Sequence, residues 1–216
     1  MMYRPIAALV LMTALASPAL AAQGSEDWPC IQRKVPELSL GQIWNGPELP
    51  AEAADWSKDS EISALVRELS ARRMPVEEAQ GLIRDFAEKS GEAAEQRLLV
   101  LVRGLFDHMN RERADVMSGI SRYAKRQVEL AERLRQELSE VDTLRNKPDA
   151  NPTEVAQRSD RLVWETRLFE ERAQSLSFVC EVPTLIEQRL FALSRAIGQT
   201  MNSLRQEKEA APNDKR

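Results

Sequence analysis

Few residues in this chain could do chemistry. Cys30 and Cys180 are its only thiols, and His108 is its only imidazole. Two thiols allow one intramolecular bridge, and in an oxidising compartment an even count points to it. The loop it would close is very long, worth up to ~4–5 kcal/mol by the chain-entropy model. Cys30 follows Trp28-Pro29 and lies outside any Cys-x-x-Cys motif, so thiol–disulfide exchange is not expected. His108 has Asp107 beside it and Glu112 one turn later, a spacing that could ligate a metal. A di-iron bundle wants two Glu-x-x-His motifs, and residue 105 is Leu, so that motif is absent. Covalent haem attachment needs Cys-x-x-Cys-His, also absent. Non-covalent haem would pair His108 with Met109 or Met201, although methionine at such positions is more simply core filler. Glu77-Glu78 and Glu170-Glu171 fall on charge-rich helices and read as solvated faces. There is no nucleophile elbow, phosphate loop or zinc-type cysteine spacing. The expectation is a non-enzymatic protein with no catalytic residue, no metal ligand and no cofactor.

Residues 1–22 have the layout of a secretory leader: a basic start at Arg4, an apolar run from Ile6 to Ala16, and small residues before Ala22. The apolar run is about 11 residues, short of the roughly 20 that cross a bilayer. Cleavage near Ala21 or Ala22 would leave a mature periplasmic chain. No later apolar run could span a membrane. The full chain has 216 residues, 30 basic and 34 acidic, for a formal charge of -4. That balance does not suit nucleic acid, which asks for a basic face. Aromatics are only 5% and charged residues 30%, the composition of long, solvent-rich helices.

Residues 23–58 read as an extended arm. Pro29, Pro36, Pro47 and Pro50 deny it regular helix, yet three of the chain's four tryptophans lie there, so it should pack on a helical body. A short helical turn fits between Ser39 and Trp44. A first helix is expected from Asp59 to Arg73, with Asp59 or Ser60 as cap, and a second from Pro75 to Ser90-Gly91. A third starts near Glu92 and meets no proline until Pro148. Its second half repeats at alternating four- and three-residue spacing: Val116, Ile120, Tyr123, Gln127, Leu130, Leu134, Glu137, Val141, Leu144. That is a coiled-coil seam, blemished at Gln127 and Glu137.

Asn146 to Pro152 is a turn, and a fourth helix follows to about Gln206 with the mirror seam Val155, Ser159, Leu162, Thr166, Phe169, Ala173, Leu176, Cys180. Pro183 interrupts it, and Thr184 with Glu187 offers a capping box for a restart. Long helices joined by a short turn run antiparallel. The predicted fold is therefore all-α: a helical bundle body (59–115 plus 184–206), a coiled-coil hairpin stalk (116–183), and a mobile tail (207–216). Arg111, Arg113, Arg122, Lys125, Arg126, Arg133 and Arg135 give the third helix a basic flavour. Interleaved glutamates make this a salt-bridged, exposed surface first.

An exported helical hairpin resembles, in architecture alone, the tentacled periplasmic holdase chaperones and the hairpins of efflux adaptors. The former carry a basic body, whereas this chain is acidic; the latter flank the hairpin with lipoyl-like β domains, absent here. The LTxxQ repeats of a periplasmic stress-sensor family are also missing. The expected function is that of a periplasmic adaptor, scaffold or chaperone-like protein. Its hairpin would contact a protein partner or a second copy, with Leu144, Arg145, Asn146 and Lys147 at the tip. The alternative is a ligand-, metal- or haem-binding helical bundle with its site near His108.

Overall fold

The computed structural model describes residues 28–210. The expected leader and cleavage site lie outside the described residues, as do residues 23–27 and 211–216. Among the described residues the fold is all-α, with no strand. The elements are α1 (Leu40–Ile43), α2 (Ser60–Ser70), α3 (Val76–Ser90), α4 (Ala94–Arg145) and α5 (Pro152–Ala210).

Local chemistry sets the short helices. The Asp59 carboxylate accepts from the amides of Glu61 and Ile62 and caps α2. Ile62, Leu65, Val66 and Leu69 then line its buried face. Pro75 stands at the N-cap of α3, one position before the expected first turn, and Gly91 ends the helix at φ 55°. Arg97 of α4 pairs with Asp59 (3.3 Å) and Glu61 (2.6 Å), tying the start of α2 to α4. The Ile62 amide above all, with Arg97 assisting against the burial that opposes them, holds the Asp59 carboxyl below the ordinary carboxylate range. A depressed carboxyl contributes stability above its unfolded pKa of about 3.9 and loses it as pH falls through the folded value. Asp59→Ala is expected to cost about 1 kcal/mol at pH 7. In acid titrations of Tm, the gap to the parent should close below about pH 4.

Two sequence expectations need correction. Residues 51–58 are not extended: Ala51–Lys58 forms a 3-10 stretch that packs on α4. Pro50 precedes it, so the proline-rich spacing that argued against helix marks only where this piece begins. The fourth helix does not restart after Pro183: α5 runs unbroken for 59 residues, from Pro152 to Ala210, past the expected stop at Gln206. Proline removes one helix hydrogen bond, but Pro183 is buried and the packing around it keeps the helix whole. Glu187 is not used as a cap and instead faces Arg113 at 3.6 Å.

α4 and α5 pair antiparallel over most of their lengths. Glu95 meets Arg205, Arg113 meets Glu187, Tyr123 reaches the Arg172 carbonyl, and Arg158 reaches Glu137 and Glu140. At 1.5 Å per residue these helices are on the order of 80–90 Å long. The core brings Leu98, Leu101, Leu105 and Met109 of α4 against Leu190, Leu193 and Ile197 of α5, with Ile62, Leu69 and Ile83 closing the sides. No residue between 117 and 181 belongs to that core, so the hairpin extends beyond the body.

The arm crosses the body and is fixed along its length. Asn110 accepts the Leu38 amide (3.2 Å), and the Trp44 indole is buried and donates to the Pro47 carbonyl (2.7 Å). Trp56 donates to Asp107 (3.2 Å) and lays its ring over Gly104. A Cβ on Gly104 would stand 2.7 Å from Val66 Cγ2 and 3.1 Å from the Trp56 ring. Gly104 is thus the gap that lets two elements approach α4, not a weak point of the helix. Gly104→Ala should destabilise by about 1–3 kcal/mol despite alanine's better helix propensity, and chemical denaturation would read it.

Candidate functional site

The hairpin seam follows the expected spacing. Ile120, Gln127, Leu134 and Val141 are buried, and the intervening Tyr123, Leu130, Glu137 and Leu144 are half-buried. Its two polar positions are put to use. Gln127 donates to the Tyr123 hydroxyl one turn earlier on α4 (3.0 Å), and that hydroxyl donates across the hairpin to the Arg172 carbonyl (3.4 Å). Glu137 accepts from Arg158 Nε (2.9 Å) and Nη2 (3.0 Å), and Glu140 also accepts from Nη2 (2.6 Å). The Arg158 hydrogen bond holds the Glu137 carboxyl below its usual range, and the two carboxylates hold the guanidinium protonated. Ala173 departs from the seam and is exposed.

Leu144, Arg145, Asn146 and Lys147 do come together at the tip. Arg145 ends α4 and bonds Ser159 (3.3 Å), Asn146 caps it onto the Asp142 carbonyl (2.9 Å), and Leu144 is half-buried. Asn151 caps α5 through the Thr153 amide (2.9 Å). Arg145, Asn146, Lys147, Pro148 and Asp149 present a small, exposed polar end.

Apolar exposure lies elsewhere on the hairpin. Val128, Leu138, Val163, Trp164, Phe178 and Val179 are all solvent-facing. An apolar groove of about 400 Å³ opens at the hairpin base between Gly119, Ile120 and Tyr123 on α4 and Ser175, Leu176 and Val179 on α5. Composition concealed this distribution, because apolar residues outside the seam look like ordinary surface scatter.

The base of the hairpin is clamped. Cys30 and Cys180 form a disulfide with Cα atoms 5.5 Å apart. Beside it Gln32 bonds Glu181 (3.4 Å) and Lys34 bonds Ser121 (3.2 Å). Arg113, read from sequence as one of several surface cations, is buried and donates to the Val35 carbonyl (2.7 Å) while facing Glu187. One guanidinium thus joins the arm, α4 and α5. Arg189, unremarked in the sequence, is also buried, and donates to the carbonyls of Leu69 and Met74, each at 2.8 Å.

His108 sits apart from all of this. It lines an open recess of about 510 Å³ with Arg67, Ser70, Ala71, Arg72, Arg73 and Glu112. Asp107 turns to Arg103 (2.8 Å) and Trp56, and Glu112 faces Arg72 at 3.8 Å. Met109 and Met201 lie in the hydrophobic core rather than in that recess. Among the described residues no group of three or more His, Cys, Asp or Glu side chains could hold a metal ion. Nor, among them, is any helix long and apolar enough to cross a membrane.

No protein-family model, curated protein or solved structure matches this chain.

Proposed function

We propose that this is an exported, non-enzymatic interaction protein that contacts a protein partner through its hairpin. One observation carries the reading: residues 117–181 lie outside the core, yet they are stiffened by a paired seam and display apolar side chains to solvent. A projecting pair of helices offers length and little enclosed volume, which suits a protein surface better than a small molecule. The disulfide and buried Arg113 support the reading by holding the hairpin base to the arm. The leader-like residues 1–22 and the bridged cysteines together argue for the periplasm as the compartment.

The test is crosslinking of the mature, oxidised protein in periplasmic extract, followed by identification of what it captures. A reproducible partner, lost when residues 130–170 are replaced by a short turn, supports the reading. A preparation in which that trimming changes no partner overturns it. A second reading, a ligand site in the body, draws on the recess where Arg67, Arg72, Arg73 and His108 converge. Guanidinium groups there would favour an oxyanion. Calorimetric titration with inorganic phosphate, compared with an Arg67→Ala/Arg73→Ala variant, decides it.

A further inference from the structure

α5 carries a second seam beside the one that meets α4; its Ser175 lines the groove against α4 and its Val182 packs on the core. Trp164, Leu168, Glu171, Ser175, Phe178, Val182 and Leu185 repeat at alternating four- and three-residue spacing. They lie two residues beyond the first seam, which is about 200° around the helix. Trp164 is 63%, Phe178 76% and Leu185 51% exposed, and Leu168 is half-buried. The stripe has coiled-coil periodicity and, over Trp164–Phe178, no partner helix in the chain.

Resting on the reading of the hairpin as an interaction surface, we infer that this outer stripe of α5 pairs antiparallel with the same stripe of a second copy. Flanking charges choose both partner and direction, as they do in coiled coils. A parallel pair would set Asp160 against Glu165 and Arg167 against Arg172, each twice, and bring Glu171 onto its own copy. The antiparallel register that places Leu168 opposite Phe178 also places Trp164 opposite Val182. It then seats Arg167 beside Glu181 twice along one edge, in exchange for the Arg167–Glu171 pair within each chain, and turns Glu171 toward the Ser175 hydroxyl. One like-charge meeting remains, Arg172 with its own copy, next to Glu171 of both chains. Four aromatic rings with the aliphatic side chains beside them bury on the order of 1,000 Å², the size that a specific interface clears.

Sedimentation of the mature, oxidised protein over a concentration series tests this. The expected result is a monomer–dimer equilibrium. Phe178→Glu or Trp164→Glu should weaken it at least about 30-fold with unchanged helicity, and with unchanged Tm at concentrations where the parent is monomeric, since both side chains are solvent-facing. Arg167→Glu and Glu181→Arg should each weaken it by roughly three- to tenfold, because each breaks two pairs, and the double swap should restore it. A monomer at every concentration overturns the inference. If that monomer still captures a different protein through Trp164 and Phe178, the second copy is wrong while the hairpin reading stands. A dimer untouched by Phe178→Glu overturns the surface, and a swap that fails to restore pairing overturns the register.

Discussion

Replacing Arg189 by methionine is expected to lower stability by about 3 kcal/mol, a fall in Tm of roughly 6–12 °C for a chain of this size. Arg189 is 7% exposed, and its Nε and Nη1 donate to the carbonyls of Leu69 and Met74. Leu69 lies in the last turn of α2, where carbonyls have no partner within the helix. Met74 lies in the turn leading to α3. The guanidinium therefore satisfies two otherwise orphaned acceptors from a distant element and pins the α2–α3 turn to α5. Methionine keeps much of the volume and removes both donors, so the loss reads as hydrogen bonding rather than cavity. Burial lowers the Arg189 pKa, and relief of that desolvation offsets part of the loss. Arg189→Lys tests the geometry: one ammonium cannot reproduce the fork, so it should recover only part of the stability. A methionine variant as stable as the parent would mean that the two carbonyls find water instead.

This residue also shows where sequence reading stops. Long helices were legible because their signals are local: Asp59 as a cap, Gly91 as a stop, and repeated spacing through Leu134 and Val141. The antiparallel hairpin followed from the short turn at Asn146–Pro152, and the cysteine pairing from there being only two thiols. What stayed hidden was decided by tertiary neighbours. Arg113 and Arg189 look like any other helical arginine until a remote carbonyl is placed beside them. Gly104 looks like a flaw in a helix until Trp56 and Val66 press against it. Pro183 signals a break, but it is buried, and packing of Ile186 and Leu190 just beyond it outweighs one lost hydrogen bond. Glu137 looks like a blemish in the seam until Arg158 arrives from the other strand of the hairpin. The outer stripe of α5 was in plain sequence as well. It was masked by the stronger inner seam, which alone accounts for the hairpin.

The second large effect is expected from opening the Cys30–Cys180 bridge. The cysteines are 150 residues apart, so the bridge closes most of the described residues into one loop. Chain entropy alone assigns such a closure about 5 kcal/mol, and measured bridges return about 2–4. A Cys30→Ser/Cys180→Ser variant should therefore melt roughly 4–16 °C below the oxidised parent, and the reduced parent should behave alike. The arm has other anchors, Asn110 for Leu38, Arg113 for Val35 and the buried Trp44. These hold residues 35–58 in place when the bridge is open. Residues 28–34 keep only the exposed contacts of Gln32 and Lys34, so they should be the first to accept a protease. The two effects separate by measurement. Lowered Tm with cleavage confined to Arg33 or Lys34 locates the loss in the unfolded chain's regained freedom. An unchanged Tm with the same cleavage would make the bridge a local tether, with α4 and α5 holding the hairpin base unaided. Cleavage reaching Trp44 would show that the arm detaches as one unit, leaving the body core open along α5.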